Sequence, residues 1–482
     1  MITAKKSKVF LIGNGPLPIE EGVKTNALGI RTCQILESLL NSDISVVLFL
    51  LYPDYNGPPA PALVNAFGKD YRQICMGDVD FAKNEIFIDI FRDEKPDCII
   101  ASTLYPCYRA VSIGFDIPIW ADLFGHSMTE AQARASRDGS DEFVYNYWNQ
   151  ERRVIESADV FSTVSTPQKF ALIGELGTRG RLNHLTNEYD FVSVLPIAAD
   201  KAHDIWVSKK EDDLSVRSNG ANFFSINKED FVVLWSGGYN TWVDVDTLFR
   251  GLEIAMRREP SIRFLSTGGE IRGQDEKTYS EFVKKVSSSK FKVRFELRGW
   301  IDNEDVMKYT LSSDIGVNVE KNIYEVMLGS KARITSWISI GIPVLTTSIC
   351  ELANDLEQNN AVLTFESGNA EDLASKLIWA SRKKDELAQI ALRGRKFADS
   401  CLSKERVYIP LVNWVKCPGF APDRGKRVGF KNDRDEHISG LERTLSEMNA
   451  YYLCIIHDLE GKRSHKKSKY DFLSKLLKKN RD

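Results

Sequence analysis

The sequence has little of what three large protein classes need. None of its 482 residues lie in an apolar run of about 18 positions, the length that a membrane-spanning helix requires. Basic residues number 64 against 67 acidic residues, a net charge of −3, so the chain as a whole is no polycation for nucleic acid. The eight cysteines are scattered without a C-x-x-C pair, and no Cys/His cluster has zinc-ligand spacing. We expect a cytoplasmic protein with reduced cysteines and no nucleic-acid partner.

What the sequence does contain is a repeated pattern of short apolar runs separated by stretches of helical length. Each run is rich in Val, Ile and Phe and ends in small or polar residues, as strands buried on both faces of a parallel sheet do. The first series is Lys8–Ile12, Ile44–Tyr52, Asp97–Ala101, Ile117–Asp122, Val160–Val164 and Phe191–Leu195. The second series is Phe231–Trp235, Ile262–Ser266, Val293–Leu297, Ile315–Val319, Pro343–Leu345 and Ala361–Phe365.

The two series predict an α/β protein with two doubly wound, Rossmann-like domains that face a cleft. A polar stretch separates the series and is predicted to be a linker or insertion. The predicted order is an N-terminal domain at 1–205, the linker at 206–228, a C-terminal domain at 229–400, a return segment at 401–430 and a helical, basic tail at 431–482.

Glycines follow three predicted strands of the second domain. They occur in Ser236-Gly237-Gly238, in Thr267-Gly268-Gly269 and in Arg298-Gly299-Trp300. Ligands of doubly wound sheets bind at the carboxyl ends of the strands, and backbone N–H groups there suit a diphosphate. Three such edges in one sheet favour a ligand that carries a nucleotide.

A loop and helix further along the second domain carry one acid and two cations. Glu325 lies in the predicted loop, and Lys331 and Arg333 fall in the first turn of a helix that ends at Gly341-Ile-Pro343. A carboxylate accepts both hydroxyls of a ribose, and the cations neutralise a diphosphate. In the first domain, Gly13-Asn14-Gly15 is followed by Pro18, so the dinucleotide fingerprint G-x-G-x-x-G is not met.

This layout resembles the GT-B fold, and specifically the retaining nucleotide-sugar glycosyltransferases of family 4, in a branch that assembles bacterial polysaccharides. The resemblance covers about Val9 to Arg395 and is strongest from Phe231 to Thr347. It implies that Glu325 holds donor hydroxyls and that His126 contacts the donor sugar near the reacting carbon. Asp122 is then expected to orient the His126 ring or to touch the acceptor.

The sequence also departs from the family pattern. The family's two acids would fall at Leu328 and Ser336, which leaves Glu325 as the nearby acid. The family often has Arg and Lys after the glycine edge of the second domain, whereas Gly238–Asp244 contains no cation. We expect Lys331 and Arg333 to replace that pair.

The resemblance therefore gives three sets of expected site residues. The catalytic set is His126, Glu325 and Asp122, and the acceptor set is Gly15, Gly22 and Asn26. The donor-binding set is Gly237, Gly238, Asn240, Asp244, Gly268, Gly269, Arg298, Trp300, Lys331 and Arg333. Asp244-Val-Asp246 spells a D-x-D metal motif, but Asp78-Val-Asp80 does too, and we expect neither a metal site nor a cofactor.

The last 22 residues differ from the rest of the chain in their strong positive charge. Residues 461–482 contain nine Lys or Arg against two Asp, and Phe472, Leu473, Leu476 and Leu477 recur at helical spacing among them. This profile suits a helix lying on an anionic membrane surface. A solvated terminal helix or a segment that pairs with a partner helix is the alternative.

We therefore expect a glycosyltransferase that moves a sugar from a nucleotide sugar to a glycan or lipid-linked acceptor. By resemblance the reaction is retaining and metal-independent and serves the synthesis of surface polysaccharides or glycoconjugates. Two alternatives stay open: a catalytically degenerate GT-B partner protein, and a GT-B sugar-nucleotide epimerase. The base, the sugar and the acceptor do not follow from the sequence.

Overall fold

The structure is a computed structural model, and it describes residues 6–20, 24, 26–52, 70–199, 227, 229–426, 438–452 and 455. Gly22, the basic tail 461–482 and all of the predicted linker 206–228 except residue 227 lie outside the described residues. The chain forms two compact units, Met1–Arg424 and Gly425–Asp482.

The first sheet has seven parallel strands in the order β3-β2-β1-β4-β5-β6-β7. The strands are β1 Lys8–Asn14, β2 Ser45–Leu51, β3 Tyr71–Met76, β4 Cys98–Ser102, β5 Ile119–Asp122, β6 Val160–Thr163 and β7 Val192–Val194. The helices that accompany them are α1 Ala27–Leu40, α2 Asp78–Phe81, α3 Asn84–Glu94, α4 Leu104–Ile113, α5 Ser127–Asp138, α6 Val144–Ser157 and α7 Thr166–Thr178.

The second sheet has six parallel strands in the order β10-β9-β8-β11-β12-β13. The strands are β8 Phe231–Ser236, β9 Ile262–Thr267, β10 Phe295–Leu297, β11 Ile315–Asn318, β12 Val344–Thr347 and β13 Leu363–Phe365. Its helices are α8 Val245–Arg258, α9 Lys277–Ser288, α10 Asn303–Leu311, α11 Tyr324–Leu328, α12 Ala332–Ser339, α13 Glu351–Gln358, α14 Ala370–Arg382 and α15 Lys384–Cys401.

Both sheets are doubly wound, which confirms the predicted fold class. The strand order reverses between β1 and β4 in the first sheet and between β8 and β11 in the second. Apolar clusters cover both faces of each sheet, so the strands are buried almost throughout. The reversal points open crevices at the carboxyl ends of the strands, where ligands of such sheets bind.

All twelve predicted strands are present, with ends shifted by up to two residues, and the sequence missed β3. Its residues, YRQICM, mix an exposed Arg72 and a buried Gln73 with apolar side chains. A strand at the edge of a sheet has one neighbour and carries no continuous apolar run, so periodicity does not reveal it.

After the second sheet the chain returns to the first. Helices α16 Lys404–Val407 and α17 Ile409–Lys416 pack against the apolar cluster beneath β1 and β2. The Tyr408 hydroxyl donates to Gln34 Oε1 at 3.2 Å, and Arg181 pairs with Asp423 in the interior. These contacts tie the return segment to the first domain.

A last helix occupies residues 438–452 in the second compact unit. Its apolar side chains Ile438, Leu441, Leu445 and Met448 are exposed. Among the described residues, no helix combines the length and hydrophobicity that crossing a membrane requires.

Candidate active site

The crevice of the second sheet lies between the ends of β8 and β11. The chain leaves β8 through Gly237 and Gly238, and it leaves β11 into Glu320. Gly237 has φ +88°, a conformation that side chains with a Cβ rarely adopt. A Cβ on Gly268 would lie 1.7 Å from the Gly237 carbonyl oxygen, so two backbone segments meet here without side chains. Two of the three predicted glycine edges, those after β8 and β9, therefore meet in one surface made of backbone.

Arg333 extends from the first turn of α12 to this glycine surface. Its guanidinium lies 4.0 Å from the centre of the Trp235 ring, and Nη2 donates to the Gly238 carbonyl oxygen at 2.9 Å. Nη1 is buried and has no hydrogen-bond partner within the structure. Burial lowers the pKa of this guanidinium to about 10, although Glu320 and Tyr239 raise it. A buried cation with an unused donor is costly unless an anion binds there.

Trp300 and Gly269 complete the outer wall of the same crevice. The indole N–H of Trp300 donates to the Glu270 carbonyl oxygen at 2.6 Å, and the ring packs against Gly238 and Gly269. Arg298 forms an ion pair with Glu296 outside this wall, so its charge is partly used within the protein.

Two further predicted donor residues follow β8. Asn240 has a buried side-chain oxygen, Oδ1, with no hydrogen-bond partner within the structure. Asp244 is the N-cap of α8: Oδ1 accepts from the Thr247 N–H at 3.0 Å and Oδ2 accepts from its hydroxyl at 2.6 Å. Asn240 thus has a free acceptor for a ligand, whereas both oxygens of Asp244 hold the helix.

Lys331 lies between two acids. Its Nζ is 3.3 Å from Glu320 Oε1 and 3.3 Å from Glu325 Oε2, and it lies 5.4 Å from the Trp242 ring centre. Burial lowers the pKa of Lys331, but the charges of Glu320 and Glu325 outweigh it, so the pKa is raised overall. Because two carboxylates already neutralise the charge of Lys331, this side chain is better placed to hold Glu325 than to bind a phosphate.

His126 caps helix α5 on the opposite side of the cleft. Its Nδ1 accepts from the Thr129 N–H at 3.3 Å, and its Nε2 lies 3.0 Å from Glu175 Oε1. Burial lowers the pKa of His126, but Glu175 and Glu151 outweigh it and raise the pKa above its ordinary value. Burial raises the pKa of Glu325, and the charge of His126 opposes that rise. Two predicted catalytic residues from different domains therefore lie close enough to interact.

The two domains are joined along α5. Glu130 Oε1 accepts from Gln274 Nε2 at 2.7 Å, and Arg137 pairs with Asp275 at 3.1 Å. Burial, and then the charge of Glu325, raise the pKa of Glu130 to about 7. A carboxyl group of the first domain therefore faces the acid of the second across the cleft.

Asp122 is fully buried at the end of β5 and is surrounded by donors. Arg31 donates to both of its oxygens, at 2.9 and 2.7 Å, and the hydroxyls of Ser102 and Ser162 donate at 2.9 and 2.7 Å. The structure does not bring its carboxylate to the His126 ring, whose two nitrogens contact Thr129 and Glu175.

The predicted acceptor residues lie at the mouth of the first sheet. Gly15 comes directly after β1 and packs against Tyr52. An added Cβ on Gly15 would lie 2.4 Å from the Tyr52 ring. Asn26 caps α1 by accepting from the Gly29 N–H at 2.9 Å. Gly22 lies outside the described residues. Their contact with an acceptor stays a prediction.

The sequence missed several acids of the cleft. Glu320 directly follows a buried strand, and Glu130 lies four residues after His126 on the same helix face, so both carried a positional signal. Glu151 and Glu175 carried none, because only folding brings α6 next to α5 and Glu175 of α7 next to His126. In the described part of the chain, no three His, Cys, Asp or Glu side chains are placed to hold a metal ion.

Residues 251–406 match the family model described as Glycosyl transferase-like. A search of curated proteins found no match. Solved structures do match, and three of them show how far the likeness extends.

Sucrose-phosphate synthase of Thermosynechococcus elongatus is 15% identical, with a TM-score of 0.64 over 85% of this chain and 98% of that one. A trehalose-6-phosphate protein of E. coli bound with UDP-2-fluoro glucose is 12% identical, with a TM-score of 0.62 over 86% and 100%. HepE of Anabaena in complex with UDP-glucose is 12% identical, with a TM-score of 0.59 over 85% and 99%.

These comparisons confirm the predicted class. The fold is GT-B, and the matched segment contains the glycine edges after β9 and β10, Glu320, Glu325, Lys331 and Arg333. The protein is a glycosyltransferase of the GT-B type.

Proposed function

We propose that the protein transfers a sugar from a nucleotide-diphosphate donor to a glycan or lipid-linked acceptor. The reaction retains the anomeric configuration, needs no metal ion and serves surface polysaccharide or glycoconjugate synthesis. Membership of family 4 belongs to this proposal, because it rests on the sequence motifs alone.

The observation that carries the proposal is the state of Arg333. Its guanidinium is buried at the glycine surface, its Nη1 has no partner, and the adjacent backbone of Gly237 and Gly268 is bare of side chains. A diphosphate supplies the charge and the acceptor oxygens that this arrangement lacks. Arg333 would then replace the cations that the family often has after the glycine edge, where Gly238–Asp244 contains none.

The two cations then have different tasks. Lys331 is held by Glu320 and Glu325, so it fixes Glu325 towards the hydroxyls of the donor. Arg333 stabilises the charge that develops on the departing diphosphate, which is the interaction that strengthens in the transition state.

Retention fits a transfer on one face of the sugar. The bond between the anomeric carbon and the diphosphate oxygen breaks, and the bond to the acceptor oxygen forms on the same face. The acceptor proton passes to the departing diphosphate oxygen, and the Arg333 guanidinium stabilises the negative charge that remains on the diphosphate. His126 and Glu130 border this space from the first domain, and closing the cleft along α5 excludes water.

UDP is the first nucleotide to test, because the similar structures of HepE and of the E. coli protein hold UDP-glucose and UDP-2-fluoro glucose. Thermal unfolding is measured with UDP, GDP, ADP, CMP and TDP on the wild type, Arg333→Lys and Arg333→Gln. A ligand at about 100 times its Kd stabilises by about 2.7 kcal/mol, which is readily seen.

The control is Arg258→Gln, an exposed arginine at the far end of α8 that pairs with Glu371. We expect one nucleotide to stabilise the wild type and the control equally, and to stabilise Arg333→Gln far less. Transfer of radiolabelled sugar from the matching donor then tests catalysis. A nucleotide that binds without any donor hydrolysis or transfer would favour the degenerate partner protein instead.

A further inference from the structure

The His126 ring is held by both of its nitrogens. Nδ1 accepts from the Thr129 N–H in the first turn of α5, which requires that Nδ1 carry no proton. Nε2 then carries the ring proton and points to Glu175 Oε1 at 3.0 Å. The hydrogen bonds therefore select one tautomer and one orientation of the ring.

Glu175 comes from a different helix than His126, so this contact depends on packing. It lies near the end of α7, and His126 stands at the start of α5. The His126 side chain is 11% exposed and that of Glu175 is 27% exposed, so the contact lies at the edge of the cleft rather than in the core. A carboxylate in this place controls how the ring faces the cleft.

We propose that Glu175 is the positioning residue of His126: together with the Thr129 N–H, its carboxylate fixes the Nε2–H tautomer and the ring orientation with which His126 serves transfer. This inference rests on the proposed function for its kinetic consequence, but not for its structural one. The bond between Glu175 and His126 exists in the free protein and can be tested without a donor or an acceptor.

The charged groups around His126 set the direction of its titration. Glu175 on α7 and Glu151 on α6 face it within the first domain, Glu325 faces it across the cleft, and Glu130 lies one turn along its own helix. Burial, and then the charge of Glu175, raise the pKa of Glu151 to about 7, so Glu151 holds a proton over part of the neutral range. Glu175 is thus the one of these carboxylates that contacts the ring directly.

Two variants separate the charge of Glu175 from its hydrogen bond. Glu175→Gln keeps an oxygen that accepts from Nε2–H but removes the charge, whereas Glu175→Leu removes both. The matched control is Glu156→Gln on α6, whose carboxylate pairs with Arg152 and Arg179 instead of His126. Far-ultraviolet circular dichroism and thermal unfolding establish that each variant is folded.

The first readout is the NMR titration of the histidine ring in the full chain, with His126→Ala used to identify its signals among the six histidines. We expect Glu175→Gln to lower the pKa of His126 by about one unit, because a nearby opposite charge is lost. The nitrogen shifts should keep the Nε2–H pattern in Glu175→Gln and show both tautomers in Glu175→Leu. An unchanged titration in Glu175→Gln, or an unchanged tautomer in Glu175→Leu, overturns the proposal.

The second readout is the pH profile of transfer. We expect Glu175→Leu to lower kcat about tenfold or more with KM changed little, because positioning acts in the transition state. We expect Glu175→Gln to retain most of kcat at neutral pH and, as pH falls, to lose it at a pH about one unit lower than the wild type does, because its neutral Nε2–H ring persists to a lower pH. A normal profile in both variants, together with an altered titration, would show that the bond is merely structural and would overturn the proposal. Failure of all transfer in the wild type would instead refute the proposed function and leave the NMR result standing.

Discussion

Replacing Lys331 by Met tests how the donor-side acids are held. Lys331 Nζ lies 3.3 Å from Glu320 and 3.3 Å from Glu325, and the three side chains are 8%, 3% and 11% exposed. Met keeps the length of the side chain and removes its charge. Two buried carboxylates are then left without a cation, and breaking a buried ion pair in this way costs about 3–5 kcal/mol.

Urea unfolding measures this loss directly. A loss of that size lowers the thermal midpoint by roughly 2–4 °C for each kcal/mol in a domain of this size. Lys331 opposes the rise in the pKa of Glu325, so without it that pKa would rise further in the folded variant, and stability should recover as pH falls towards the unfolded carboxyl value of about 4.3. The control is Lys308→Met, an exposed lysine paired with Asp305, whose loss should cost less than about 1 kcal/mol.

A second substitution decides whether the charges are the cause. Adding Glu320→Gln to Lys331→Met removes one of the two uncompensated carboxylates, and we expect a favourable coupling of about 0.5–3 kcal/mol. If Lys331→Met unfolds like the control and its stability does not depend on pH, Lys331 is not clamped between these acids and the division of tasks with Arg333 is refuted.

Three further predictions follow from the geometry. The pKa of Glu130 is raised to about 7, so the folded protein binds more protons than the unfolded chain between about pH 4.5 and 7, and its stability falls as pH rises through that range. Glu130→Gln should therefore stabilise the protein by at most about 3 kcal/mol at pH 8 and hardly at pH 5. Urea unfolding at both pH values measures the difference. Asp122→Asn should destabilise by about 3–5 kcal/mol because Arg31 loses its buried partner, and an unchanged unfolding midpoint would contradict this. Gly268→Ala should abolish nucleotide-dependent thermal stabilisation, because its Cβ would lie 1.7 Å from the Gly237 carbonyl oxygen. The control is Gly174→Ala in α7, which has open space around it and should raise stability by up to about 1 kcal/mol while leaving binding intact.

The alternation of strands and helices was readable from the sequence because buried parallel strands leave continuous apolar runs. Phe231–Trp235 and Ile262–Ser266, for example, appear as β8 and β9 with one more residue each. The glycines after these strands were readable for a similar reason, since a strand end that meets another backbone tolerates no side chain. The fold class and the glycine edges of the second sheet therefore followed from local pattern.

The role of each charge did not follow from local pattern. The sequence predicted the same role for Lys331 and Arg333, yet their surroundings differ. Lys331 lies between two carboxylates, whereas Arg333 lies against the Trp235 ring and the glycine backbone. Likewise, Asp122 looked like a partner of His126, but Arg31 from α1 engages it instead.

The sequence by itself thus determined the two doubly wound sheets and the glycine edges of the second sheet, because burial and close backbone contact each restrict which residue types occur at consecutive positions. Only the tertiary structure decided which charges meet. Arg333 reaches Gly238 across 95 positions of the chain, and Glu175 meets His126 from a separate helix. Electrostatic interactions depend on distance in space, and spacing along the chain does not give that distance until the helices have packed.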